Sequence, residues 1–110
     1  MGCPTFVTPQ IVFESTLSPT QQASASVSVP AGATIAFCRL AGKAGAIDAN
    51  TGVSARDSGY SQYYSTVWCQ VPNLWNEVTA MFPISNGTIY FQNFGTVNAI
   101  DTLVVLLAYA

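Results

Sequence analysis

The chain has 110 residues, a length that fits one domain, and half of them are hydrophobic, enough for one packed core. Charged residues make up only 7%, against about 25% in ordinary soluble domains, with five acids (Glu14, Asp48, Asp57, Glu77, Asp101) facing three bases (Arg39, Lys43, Arg56). Three scattered bases at net charge −2 cannot displace counterions from nucleic acid, and no apolar run reaches the roughly 18–20 residues of a bilayer-spanning helix, so neither nucleic acid nor a membrane is an expected partner.

The start, Met1-Gly2-Cys3, resembles the opening of an N-myristoylation signal, but Phe6 stands where that signal needs Ser or Thr. There is no basic start followed by an apolar stretch, so no secretory signal is expected. Residues 1–10 carry Pro4 and Pro9 around apolar Phe6 and Val7. Two prolines make an extended segment that is poor at ladder bonding. Phe6 and Val7 need a cover, either from their own domain or from a neighbour on which the segment lies as an arm.

β-branched, aromatic, Ser and Ala residues are frequent and Lys and Glu are rare, which favours strands over helices. The first strand is expected over Ile11 to Leu17, with Ile11, Phe13 and Ser15 on one face. Ala23, Ala25, Val27 and Val29 then alternate with Ser24, Ser26 and Ser28, a period of two that means one covered and one polar face. Pro30-Ala31-Gly32 suits a type I turn with Pro second and Gly fourth. Thr34 to Leu40 returns as a strand with Ile35, Phe37 and Arg39 opposite Ala36, Cys38 and Leu40. Both faces are largely apolar, so this strand is covered on both sides or covered by a partner.

Residues 42–59, with Gly42, Gly45, Gly52 and Gly59, read as a long loop with a short strand near Ile47 or Val53. Tyr60 to Val71 reads as one long strand, placing Tyr60, Gln62, Tyr64, Thr66 and Trp68 on one face and Tyr63, Val67, Cys69 and Val71 on the other. Leu74 to Ile84 fits either a helical stripe capped by Asn73 or a strand with Val78, Ala80 and Phe82 together. The following Asn86-Gly87, a strong hairpin signal joining Phe82-Pro83-Ile84 to Ile89-Tyr90-Phe91, favours the strand. Thr88 to Phe94 is a strand rich in aromatics, and Asp101 to Tyr109 closes the chain as a central strand, apolar on both faces. Strands spaced by about ten residues indicate a sandwich or barrel. The expected fold is all-β, a jelly-roll-like antiparallel β-sandwich of about eight strands in a single domain over residues 1–110, with an immunoglobulin-like sandwich second.

Chemistry is sparse. The sequence has no His and no C-x-x-C, and Cys3, Cys38 and Cys69 are widely spaced. Cys38 and Cys69 lie in alternating apolar runs and read as buried free thiols, which suits a reducing compartment. A nucleophilic Cys lacks a base, a zinc site lacks ligands, and a glycosidase pair would have to come from five carboxylates. Asp48-x-Asn50 resembles only the opening of a calcium loop. Asn86-Gly87-Thr88 matches a glycosylation acceptor but is already explained as a turn. No enzyme and no cofactor are expected. Trp68 and Phe91 read as core filling. The candidate protein-interface residues are Phe6, Val7, Tyr60, Tyr63, Tyr64 and Trp75, since Tyr and Trp bury large area with a polar tip.

The low charge, the Val-Pro-Ala-Gly turn at 29–32, Asn-Gly-Thr-Ile-Tyr-Phe at 86–91 and Leu-Val-Val-Leu-Leu-Ala at 103–108 look like bacteriophage virion proteins. Size and strand layout resemble the small jelly-roll decoration proteins, also called cement or staple proteins, of short-tailed phages. The resemblance implies a structural protein on the outer capsid surface of the virion, assembled in the host bacterial cytoplasm. It further implies a homodimer or homotrimer whose partner is the major capsid protein, tying neighbouring capsid subunits together. The alternative is a phage tail-fibre tip or receptor-binding module recognising a host-surface glycan through an aromatic and Asn/Asp-lined loop surface.

Overall fold

The computed structural model describes residues 3–110; Met1 and Gly2, and with them the lipidation reading, lie outside the described residues. Eight strands form: β1 (Thr5–Leu17), β2 (Gln22–Ser26), β3 (Ile35–Lys43), β4 (Gly52–Arg56), β5 (Tyr63–Trp68), β6 (Asn76–Pro83), β7 (Thr88–Asn93) and β8 (Ile100–Tyr109). They build two antiparallel four-stranded sheets, ordered β1-β8-β3-β6 and β2-β7-β4-β5, called sheets A and B below. Among the described residues only β4 and β5 are sequence neighbours that pair; every other connection crosses from one sheet to the other. That winding is the jelly roll.

The period-two alternation of β2, β3 and β6 puts Ala25, Ala36, Cys38, Leu40, Ala80 and Phe82 between the sheets, where all are buried. β7 adds Ile89 and Phe91, and β8 adds Ile100, Val104 and Leu106. Phe91 sits at the centre, meeting Phe13 edge-to-face at 4.8 Å and Phe82 at 6.3 Å, so its core-filling role stands. Phe13 reaches this place because the β1–β8 register shifts between Ile11 and Phe13. The bulge puts Ile11 outward and Phe13 inward, whereas plain alternation has them on one face. Buried Asn93 ties the layers together, its amide donating to the carbonyls of Leu17 (3.1 Å) and Asn98 (3.0 Å) while its Oδ1 accepts from the Gly95 N–H (3.0 Å).

Several local expectations are corrected. The first strand begins at Thr5 rather than Ile11, with Thr5, Phe6 and Gln10 paired to Tyr109, Ala108 and Leu106. Pro4 precedes β1, and Pro9 is tolerated because β1 is an edge strand and the residue falls where the register shifts between Phe6 and Gln10. The stretch 42–59 is less loose than its glycines suggest: β3 continues to Lys43, and the short strand near Val53 is a buried central one. The strand after Gly59 begins at Tyr63, not Tyr60, which turns with φ +54°. The tight turn after Pro30 lies one residue later, closed by Ala33 N–H to Pro30 C=O at 3.2 Å, with Gly32 third at φ +94° as in a type II turn. Asn86 and Gly87 take φ +52° and +70° inside a tight turn closed by two 3.0 Å bonds between Ser85 and Thr88. The ladder goes no further, because β6 and β7 part into different sheets.

Candidate functional site

The register aligns the outward side chains of sheet A into rows across its strands. Phe6, Ala108, Phe37 and Met81 form the first row. Ile11, Val105, Arg39 and Thr79 form the second, and Glu14, Leu103, Ala41 and Glu77 the third. Thr16, Asp101 and Lys43 follow. The face therefore grades from apolar to charged along the strands. Phe6 is 81% exposed and Ile11 58%, with Met81 also exposed and Phe37 half-buried. Arg39 and Glu77 pair at 3.6 Å at the start of the charged part. Trp75 stands at the charged end, its ring 5.2 Å from the Lys43 ammonium, in a shallow cleft with Glu14, Thr16 and Asp101. Asp101 accepts there from the Thr16 hydroxyl at 2.7 Å.

Sheet B presents a different surface. Residues 57–62 fold back over its outer face and are held by Arg56, a buried guanidinium. Its Nε donates to the Gln62 carbonyl at 2.9 Å, one terminal nitrogen to Gln92 Oε1 at 2.6 Å, and the other to the Tyr60 carbonyl. Tyr60 accepts its strained backbone because its hydroxyl donates to the Ala23 carbonyl at 3.0 Å and its ring meets Tyr90 edge-to-face at 5.7 Å. Burial, with Tyr90 adding to it, pushes the Tyr60 phenol above its ordinary range.

Beside this loop the β4–β5 register shifts between Ser54 and Arg56, which puts an extra residue on β5. Tyr63 then pairs with Arg56 and shares the outer face with Thr66 and Trp68, the reverse of simple alternation. Tyr64 is turned toward β6, beside Ile35, Met81 and Pro83. Tyr63, Trp68 and Phe94 line an open groove of about 330 Å³ together with Asn50 and Thr66. Phe94 meets Trp68 at 5.0 Å and Tyr63 at 6.3 Å, both edge-to-face. Asn50 is fixed by its loop: Asp48 Oδ1 accepts from the Asn50 N–H at 3.0 Å and from the Thr51 hydroxyl at 2.7 Å. Those donors, the hydroxyl first, hold the Asp48 carboxyl below its usual range. The residues that resemble a calcium-loop opening thus serve as a turn lock.

The six candidate interface residues fall in separate places. Phe6 is on the outer face of sheet A, Val7 packs half-buried against the core, and Tyr60 ties the 57–62 loop down through its bond to Ala23. Tyr63 lines the sheet B groove, Tyr64 the cleft beside Met81, and Trp75 the cleft with Asp101. Trp68 was expected in the core and is instead 46% exposed. Phe94 and Ile11, absent from the candidates, complete the groove and the apolar rows. Gly52 is the signal that could have found the groove: a Cβ there would lie 2.7 Å from Phe94 Cζ. Among the described residues no group of three His, Cys, Asp or Glu side chains gathers as metal ligands would.

The structure thus defines an eight-stranded jelly roll with two chemically distinct outer faces. No family model matches the chain, and neither a curated protein nor a solved structure shows significant similarity to it.

Proposed function

We propose that the chain is a structural virion protein that decorates the outer surface of a bacteriophage capsid, bridging major capsid subunits as a homodimer or homotrimer. The observation that supports this reading is the apolar end of the sheet A face, where Phe6, Ile11, Phe37 and Met81 lie in adjacent rows. Burying a side chain such as Phe6 or Ile11 against a partner stabilises the contact by about 1.5–3 kcal/mol each. The neighbouring charged rows, with Arg39, Lys43, Glu77 and Asp101, fix the orientation of docking more than its strength. Low overall charge suits a protein held among many neighbours, since mutual repulsion is small.

The test is co-sedimentation of the purified chain with expanded phage capsids that lack it. The wild type should pellet with the capsids, and a Phe6→Glu, Ile11→Lys double variant should remain in the supernatant. A chain that stays monomeric and ignores capsids would end this reading.

A further inference from the structure

We propose that the groove on the outer face of sheet B is a carbohydrate-binding site that takes a pyranose ring of a glycan against Trp68. The inference is independent of what covers sheet A. The groove's volume, about 330 Å³, lies at the low end of the ~300–1,000 Å³ range of small-ligand sites. Its walls are three aromatic rings, of which Tyr63 and Trp68 are exposed. Such rings offer flat faces to the apolar C–H side of a sugar while leaving its hydroxyls free.

The polar lining selects among ligands. Asn50 supplies an amide that both donates and accepts, and Thr66 a hydroxyl that does the same. Sugar hydroxyls have this double character, whereas an extended proline-rich segment offers almost only acceptors. Among the described residues no charged side chain lines the groove. Behind its Tyr63 wall, however, lies the Arg56 guanidinium, 3.8 Å from the ring centre and bound to neutral acceptors. That charge repels a quaternary ammonium, the other common occupant of an aromatic cage, and tolerates a neutral or acidic sugar. The site is partly pre-set: the 48–51 turn holds the Asn50 backbone, leaving its side-chain amide free for a ligand, and Phe94 packs edge-to-face on Trp68. Ser54, across from Thr66 on the same face, has a buried hydroxyl with no partner among the described residues, so polar capacity remains under this part of the sheet.

The experiment screens the full chain on an array of immobilised bacterial glycans and titrates the best hit in ¹H–¹⁵N spectra. The Trp68 indole N–H and the Asn50 side-chain amide should shift together and saturate together. Trp68→Ala should weaken binding about tenfold or more while the backbone spectrum stays native, and Trp75→Ala, at the far cleft, should leave it unchanged. If Trp68→Ala folds poorly, Tyr63→Ala at the other exposed wall should give the same loss. A silent array, binding that survives both wall variants, or groove shifts produced by decaproline in place of any glycan would each overturn the proposal. Loss of glycan binding leaves capsid co-sedimentation untouched, so the two readings fail separately.

Discussion

The guanidinium carbon of Arg56 lies 3.8 Å from the centre of the Tyr63 ring, and the same side chain bonds the carbonyls of Tyr60 and Gln62. One residue thus supports both the folded-back loop and a wall of the groove. Among the described residues no carboxylate pairs with its buried charge; carbonyl and amide oxygens and a ring face compensate it. Arg56→Ala should lower stability by about 3 kcal/mol, because three acceptors lose a charged donor. Arg56→Lys keeps the charge but cannot reach three divergent acceptors, so a loss of about 2 kcal/mol is expected. Urea unfolding of both variants checks the order.

The same loop gives the protein an acid-sensitive element. Asp57 accepts from the backbone N–H of Gln62 (2.8 Å) and Ser61 (2.7 Å) and from the Ser61 hydroxyl (2.8 Å). These bonds, led by the Gln62 amide, hold its carboxyl at about 2. An unfolded Asp titrates at about 3.9, so the folded state binds the proton more weakly. The contribution is therefore fully present above about pH 4 and is lost as pH falls toward 2. Urea midpoints measured from pH 6 to 2.5 should fall through this window. Asp57→Asn should shrink the fall without abolishing it, since Asp48 is depressed in the same direction.

Where each face is decided within one strand, residue order was enough to read it. Ala36, Cys38 and Leu40 lie inside, and Ile35, Phe37 and Arg39 outside, as their alternation requires. The Asn86-Gly87 turn was equally legible, since its positive φ angles are local chemistry. What alternation cannot carry is a bulge, which depends on how two distant strands align. The shift between Ser54 and Arg56 relocates Tyr63, and the one between Ile11 and Phe13 relocates Ile11. Both surfaces argued above depend on such shifts. The Tyr60 turn was hidden for a related reason: its strain is held by Arg56 and Ala23, which pairing alone brings near.

The cysteines should separate cleanly by reactivity. Cys38 is fully buried in β3, and burial pushes its thiol up to about 12; burial raises Cys69 as well. Cys3 is exposed. Titration of the native protein with a disulfide reagent at pH 8 should modify Cys3 rapidly and leave the other two until the chain unfolds. The folded state favours the protonated thiol, so this contribution to stability is present below pH ~8.5 and declines as pH rises toward 12.

Gly52 offers the sharpest test of how the groove is built. It pairs with Trp68 on the outer face of β4, and a Cβ there would sit 2.7 Å from Phe94 Cζ and 2.7 Å from the Val67 carbonyl oxygen. The Phe94 ring can swing away, but the Val67 oxygen is strand backbone and cannot. Gly52→Ala should therefore cost about 1–3 kcal/mol, the range of an overpacked site. Displacing Phe94 also removes the ring that Trp68 packs against at 5.0 Å. Trp68 would then lose its fixed orientation, read as a drop in near-ultraviolet circular dichroism below the melting transition. If the variant melts early but keeps that signal, the backbone clash alone accounts for the loss and Phe94 does not brace the groove.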